Sequence, residues 1–346
     1  MTEFMIRVPR ADAQNGVEPT EYLTFTAPGQ EQAFDQASWV QRLVASFPSV
    51  TNESGVSVRQ GDVLLLVHGF NTSEDDAQRW HLQCVAGLAQ AGWKGKVVSF
   101  RWPSRNLVFA YVDDRFSARA AASALVASGI AVLQANQEQN CTVNVHVLAH
   151  SMGAFVVQQA FTWAYQDVPP DWRVAQILFA AGDVDRSVFS QSHATAKAFE
   201  RHGARLTSYC NRFDKALAVS NAKRLELAPR LGRSGLPDDA PSMMCQVDAT
   251  DLFDTRYPEI SELDPAKTHG FYFSQPEFWR DVVLTLGGGI DRSAFPTRKP
   301  DTVRAVLNRY LLKWSDALGM ALAPESLHKA LNQAKTTPSI DPDSSS

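Results

Sequence analysis

The chain has 346 residues, 45% of them hydrophobic and 20% charged, with a formal net charge of -4. This is the composition of an ordinary soluble globular protein, with enough length to bury one large α/β core. No long basic block interrupts it, which excludes the electrostatic footprint of a nucleic-acid or anionic-membrane binder.

The first residues, MTEFMIRVPR, lack the apolar h-region of a signal peptide, and no apolar run reaches the length of a membrane span. Both point to a cytoplasmic protein with no membrane span. Cys84, Cys141, Cys210 and Cys245 are widely spaced, with no CxxC pair. Neither a zinc site nor a disulfide framework is indicated, and three of the four lie in apolar stretches as reduced core residues.

Residues 1–60 read as an N-terminal β layer and helix packed on the core. Phe4–Val8 and Tyr22–Phe25 have strand character, with a turn near Asn15-Gly16. Ala37–Phe47 carries Trp39, Leu43, Val44 and Phe47 at helical spacing. Asp62–Val67 (DVLLLV) is a continuous apolar run, the mark of a parallel strand buried on both faces. It ends in His68-Gly69-Phe70-Asn71-Thr72. A helix starts at Ser73, with Glu74, Asp75 and Asp76 in its first turn, where carboxylates suit the dipole.

Lys96–Phe100 is the next strand and leads into a loop, Arg101-Trp102-Pro103-Ser104, followed by a long alanine-rich helix over Ser117–Gln134. Val174–Ala180 and Arg205–Cys210 read as strands. The first ends in Ala181-Gly182-Asp183-Val184-Asp185 and the second in Asn211-Arg212-Phe213-Asp214. Helices are expected over Ser190–His202 and from Lys215. Met243–Val247 reads as the last sheet strand, and a helix follows from about Pro276 to Leu286. Strands alternating with helices imply right-handed crossovers and one mostly parallel sheet with helices on both faces. The core is expected over residues 61–290. A C-terminal helical extension over 291–335 would include Val303–Trp314, and the Ser/Pro/Asp-rich tail 336–346 reads as disordered.

One stretch organises the rest. Val143–Val157 (VNVHVLAHSMGAFVV) is a short apolar run, then His150-Ser151-Met152-Gly153, then an apolar small-residue stretch. This is the strand, sharp turn and helix of the nucleophile elbow G-x-S-x-G, with Ala149 in place of the first glycine. The close approach of helix and strand needs a small side chain there, which alanine provides. A serine on this turn also sits at a helix N-terminus, where free N–H groups and the helix dipole favour negative charge.

Serine is a poor nucleophile without a base, and the base needs a group to orient it. In this pattern the order along the chain is serine, acid, histidine, at the carboxyl ends of the strands. Only His269 and His328 follow the last strand. His269, in a loop flanked by threonine and glycine, is the candidate base, whereas His328 sits in SLHKAL, a solvated helical face. Asp214 is the candidate acid, because its strand lies nearer the return of the His269 loop. Asp183 and Asp185 are the alternatives. Each of these aspartates could instead cap a helix. The oxyanion donors would be the backbone N–H groups of Phe70 and Met152. His68 reads as a structural hydrogen-bonder. Trp102, Leu107, Val108, Phe109 and Tyr111 could wall a substrate pocket or simply pack a loop onto the sheet.

With those residues placed, the sequence resembles the α/β-hydrolase superfamily, and more narrowly the bacterial DUF900 group. The matching segments are LVHGFNTS at Leu66–Ser73, Trp102-Pro103-Ser104 with Tyr111 and Asp113 or Asp114, and the HSMG elbow at His150–Gly153. Ala180–Asp185, Tyr209–Leu217 and His269-Gly270-Phe271-Tyr272 complete the set, over about residues 60–285. The resemblance implies the triad Ser151, Asp214 and His269 and implies no particular substrate. The expectation is a serine hydrolase of carboxylic esters acting on a small molecule, with no metal or organic cofactor. An acyltransferase on the same triad and a non-catalytic binding module on the same fold are the alternatives. The oligomeric state is not legible.

Overall fold

Central parallel strands are covered on both faces, so they must be apolar throughout. Val63, Leu64, Leu65, Leu66 and Val67 are buried without exception. The computed structural model describes residues 2–9, 19–51, 55–70, 72–104, 118, 121–135, 141–166, 172–223, 228–259, 264–303 and 306–313. Among them lie β1 (Glu3–Arg7), β2 (Glu21–Phe25), β3 (Glu31–Phe34), β4 (Ser49–Thr51), β5 (Ser57–Val67) and β6 (Lys96–Arg101). The chain continues with β7 (Cys141–His150), β8 (Val174–Ala180), β9 (Gly203–Cys210), β10 (Met244–Asp248), β11 (Arg298–Pro300) and β12 (Arg309–Leu312).

All join one sheet in the order β11-β12-β10-β9-β8-β7-β5-β6-β1-β2-β3, with β4 paired to β5. From β12 to β1 every neighbouring pair is parallel. β2, β3, β4 and β11 are antiparallel additions. The helices Gln36–Ala45 and Met152–Gln166 and a helix over 121–135, π-helical at Leu125–Ile130, cover one face with Ala194–His202. Glu74–Gln90 and Pro276–Gly287 cover the other. Ser73 caps the Glu74–Gln90 helix by accepting from Asp76 N–H. This is the mostly parallel sheet with helices on both faces that the alternating pattern predicts, and the α/β-hydrolase architecture that the resemblance implies.

The ends of the chain depart from the sequence reading. β1 is not part of a separate layer. It enters the main sheet beside β6, because Phe4 and Ile6 feed one core and Met5 packs with Leu23 and Phe25 in another, so the strand is buried on both faces. At the other end Met243–Val247 is not the last strand. Where a helix was expected over Val303–Trp314, Arg309–Leu312 forms β12 and pairs with β10. Val303 and Leu307 are 91% and 88% exposed, whereas Tyr310 and Leu312 alternate into the core. The Asn15-Gly16 turn, His328, Trp314 and the tail 336–346 lie outside the described residues.

A buried ion pair anchors the C-terminal strands. Arg298 Nη2 and Nε donate to Asp281 Oδ2 and Oδ1 at 2.7 and 2.8 Å, and Tyr209 O–H donates to Asp281 Oδ2 at 2.7 Å. Both partners are almost wholly buried. Removing one member of such a pair leaves the other charge uncompensated in a poor solvent. Arg298→Met is therefore expected to cost about 3–5 kcal/mol of unfolding free energy, read by urea denaturation followed by circular dichroism.

Candidate active site

β7 ends at His150 and the Met152–Gln166 helix begins two residues later. Ser151 makes the turn between them in the left-handed region, at φ 54°. A non-glycine residue there is strained by roughly 1–3 kcal/mol and persists only where its surroundings hold it. They do so here. Ser151 N–H donates to Ala180 O at 3.1 Å, and Ser151 O accepts from Asp183 N–H at 2.9 Å and Ala154 N–H at 3.1 Å. Gly153 permits the helix to cross the strand ends. A Cβ on it would stand 2.3 Å from Val67 O and 2.6 Å from His68 O, both rigid backbone atoms. Met152 is the first helical residue, so its N–H belongs to the set with no intrahelical acceptor.

His269 lies near the end of a short helix, Pro265–Gly270, rather than in an open loop. The Asp264 N-cap and Pro265 at the first helical position start that helix. His269 Nδ1–H donates to Asp214 Oδ2 at 2.7 Å, leaving Nε2 as the acceptor of a neutral ring. The other carboxylate oxygen, Oδ1, accepts from Leu217 N–H at 2.9 Å, so Asp214 also caps the Lys215–Lys223 helix. Lys215 N–H donates to Thr268 Oγ1 at 3.0 Å and stitches the two short helices together. Asp214 is fully buried and the His269 side chain is 12% exposed. Burial alone would lower the His269 pKa, but the Asp214 carboxylate, its hydrogen bond and the more distant Asp183 raise it above its ordinary value.

The strand order explains why these two residues meet. β9, which delivers Asp214, lies between β8 and β10, and the chain leaving β10 returns to its neighbour. Asp183 follows β8 and is one strand further away. Its buried carboxylate faces Arg230, 3.6 Å from Nε. Asp185 caps the short 3₁₀ helix Arg186–Phe189 by accepting from Ser187 N–H at 2.9 Å.

Two further histidines sit beside the elbow. His68 is a buried neutral ring. Its Nδ1–H donates to Gly69 O at 2.9 Å, and its Nε2 accepts from Trp102 N–H at 3.3 Å. Burial pushes its pKa down to about 4. This is the structural role expected for it. His150, in the sequence only one letter of the elbow, finds its partner in the fold. Its ring lies 4.6 Å from that of His269, and its Nε2–H donates to His269 O at 3.3 Å. Burial, and the positive charge His269 can carry, hold its pKa well below the ordinary value.

Among the described residues, no group of three or more His, Cys, Asp or Glu side chains is gathered as for a metal ion, and no helix is long and apolar enough to cross a membrane.

A family model described as alpha/beta hydrolase of unknown function, DUF900, matches residues 46–264, more than half of the chain. The chain belongs to the DUF900 family of α/β hydrolases. The span that identifies this hydrolase contains Ser151 and Asp214 and ends five residues before His269. No curated protein matches the sequence. Similar solved structures include a mutant of the esterase rPPE, at 12% identity over 82% of this chain and 83% of that one, with a TM-score of 0.34. Another is carboxyl esterase 2 from the mycorrhizal fungus Tuber melanosporum, at 13% identity over 96% and 84% of the two chains, TM-score 0.32. A third is a thermostable esterase from Pseudomonas putida, at 13% identity over 75% and 69%, TM-score 0.30.

One pocket expectation for this DUF900 hydrolase needs correcting. Trp102 does not wall an open pocket. It is fully buried, stacked on His68 with ring centroids 5.3 Å apart, and its indole N–H donates to His68 O at 2.8 Å. An indole N–H with a buried carbonyl in reach satisfies both groups, which fixes the ring in the core. Leu107, Val108, Phe109, Tyr111, Asp113 and Asp114 lie outside the described residues.

Proposed function

We propose that this protein is a serine hydrolase that cleaves carboxylic esters of small molecules through an acyl-enzyme, with Ser151, His269 and Asp214 as its triad. The observation that carries this reading is the 2.7 Å bond from His269 Nδ1 to the buried Asp214, on the same rim of the sheet as a serine held at φ 54°. Such a bond fixes the tautomer in which Nε2 can take a proton.

Ser151 Oγ attacks the carbonyl carbon while His269 Nε2 takes its proton. The imidazolium, stabilised by Asp214, then returns the proton to the leaving alcohol. Water deprotonated by His269 attacks the acyl-enzyme, and its proton passes back to Ser151 Oγ as the acid departs. The N–H groups of Met152 and Phe70 hold the oxyanion. None of these steps calls for a metal or an organic cofactor.

A fluorophosphonate reagent is expected to label Ser151 and no other serine, read by peptide mass spectrometry. Labelling elsewhere, or none in the native protein, would count against the reading and favour a non-catalytic module. The pH profile follows from His269. The base works only when neutral, so kcat/KM should be lost as pH falls through its pKa. That pKa is raised from 6.5, so the midpoint of the acid limb is expected above 6.5. A midpoint well below that would mean that another group titrates.

A further inference from the structure

The loop that carries Phe70 is held from two sides. The elbow holds one of them, since a Cβ on Gly69 would stand 2.8 Å from Ser151 Cβ. The other side is held by the segment just after β6. Trp102 binds His68 twice, through its indole N–H to His68 O at 2.8 Å and through its backbone N–H to His68 Nε2 at 3.3 Å. Two residues later, Ser104 grips the far end of the loop. Its Oγ accepts from Thr72 N–H at 3.2 Å and donates to Thr72 O at 3.1 Å. Thr72 in turn folds back, its Oγ1–H reaching Gly69 O at 3.1 Å and Phe70 O at 3.4 Å. Ser104 is 5% exposed. The peptide bearing Phe70 N–H is thus bracketed at His68 and at Thr72.

We propose that Trp102 and Ser104 form a clamp on the oxyanion loop, with Ser104 as a positioning residue that sets where Phe70 N–H points. This rests on the hydrolase reading of the site. A hydroxyl that accepts from the N–H and donates to the C=O of one residue ties down both peptide units flanking it, here at Thr72, whose own hydroxyl reaches Gly69 O in the peptide that bears Phe70 N–H. A donor aimed at the oxyanion matters only once charge has developed on the carbonyl oxygen. Loss of aim therefore appears in kcat and leaves ground-state binding alone. A side chain that served only to hold the fold would change the folded fraction and leave the turnover of the folded molecules as it was.

Three proteins test this: wild type, Ser104→Ala and Ser104→Thr, with Trp102→Phe as a fourth. Trp102→Phe keeps an aromatic ring over His68 while deleting the indole donor and part of the buried ring volume. Amide hydrogen exchange of residues 68–72 reads the clamp without any substrate, and it should speed up at least tenfold in Ser104→Ala and in Trp102→Phe. On a nitrophenyl ester, Ser104→Ala should lower kcat by about 10- to 100-fold, with KM within about twofold. Affinity for a trifluoromethyl ketone should fall in parallel with kcat/KM. Ser104→Thr, which keeps the hydroxyl, should restore most of kcat. Unchanged exchange at 68–72 in both Ser104→Ala and Trp102→Phe overturns the clamp. So does faster exchange with kcat unaltered, or a rise in KM that accounts for the whole loss. If Ser104→Ala does not fold, Trp102→Phe decides by the same two readouts. Absence of ester turnover in the wild type would instead sink the hydrolase reading, and the exchange data would still decide whether the loop is clamped.

Discussion

Ser151→Ala is expected to remove ester turnover by roughly 10³- to 10⁶-fold while the circular dichroism spectrum stays as in the wild type. The substitution deletes one oxygen from a turn whose constraints are all backbone: the bonds to Ala180, Ala154 and Asp183 remain. An alanine in the left-handed region is already tolerated nearby, since Ala181 has φ 50°. The fold should therefore survive and the chemistry should not. His269→Ala should fall to a similar level, because members of a triad act as a unit and the loss of either leaves only the oxyanion donors and binding. Turnover is best measured on one nitrophenyl ester for both variants. Full activity in a folded Ser151→Ala protein would mean that the elbow is not the nucleophile.

The second large effect concerns the acid. Asp214→Asn keeps the helix cap, because asparagine caps as well as aspartate. It presents either an amide N–H or a neutral carbonyl to His269 Nδ1. The preferred pairing puts the imidazole proton on Nε2, the wrong tautomer for taking the serine proton, and turnover should fall by up to about 10⁴. A second readout checks the cause. The Asp214 carboxylate is what lifts the His269 pKa against burial, so the residual activity should titrate at lower pH than in the wild type. Asp183→Asn should behave differently. Its carboxylate faces Arg230 inside the protein, and neutralising it weakens a buried ion pair, which costs stability far more than turnover. Melting temperatures and kcat of both variants on the same ester decide between the two. A crippled Asp183→Asn beside a nearly normal Asp214→Asn would exchange their roles.

Much of this was legible in the sequence because the central strands are parallel. Burial on both faces makes each of them a continuous apolar run, and the residue after the run falls on the one rim where such sheets carry chemistry. Ser151, Asp183, Asp214 and the His68–Thr72 loop all follow from that single rule. The choice of Asp214 needed only the strand order, and the alternating pattern supplied it. His269 was identified by its place after β10, although the short helix that presents it was missed. The six residues Pro265–Gly270 carry too little periodicity to show themselves.

The failures have physical causes of their own. FMI is too short a run to reveal burial on both faces, so in the sequence β1 reads as part of an N-terminal β layer packed on the core. The helix expected over Val303–Trp314 is replaced by β12, in which Tyr310 and Leu312 are the buried pair while Val303 and Leu307 before it face solvent. For Trp102 the sequence leaves pocket wall and packing onto the sheet open, because an aromatic residue after a strand is equally apt for either task. What decides is an acceptor for its indole N–H, and His68 O comes within reach only in three dimensions. Ser104 and His150 stand in matching segments of the sequence, but their contacts are not legible there for the same reason: a serine or histidine is defined by its partners, and both find theirs across the chain.

The sheet extends past the stretch by which its family is detected. β1, β2 and β3 precede residue 46, while His269, β11 and β12 follow residue 264. A fragment trimmed to 46–264 would bare the ladder of β6 on one side and of β10 on the other, offering two unprotected templates for intermolecular strand pairing. It would also lose Asp281 and Arg298, leaving Tyr209 without its acceptor. Such a fragment should express as aggregate, and it would lack His269, the proposed base. Workable ends for an excised or fused form of this protein lie outside Glu3 and Leu312.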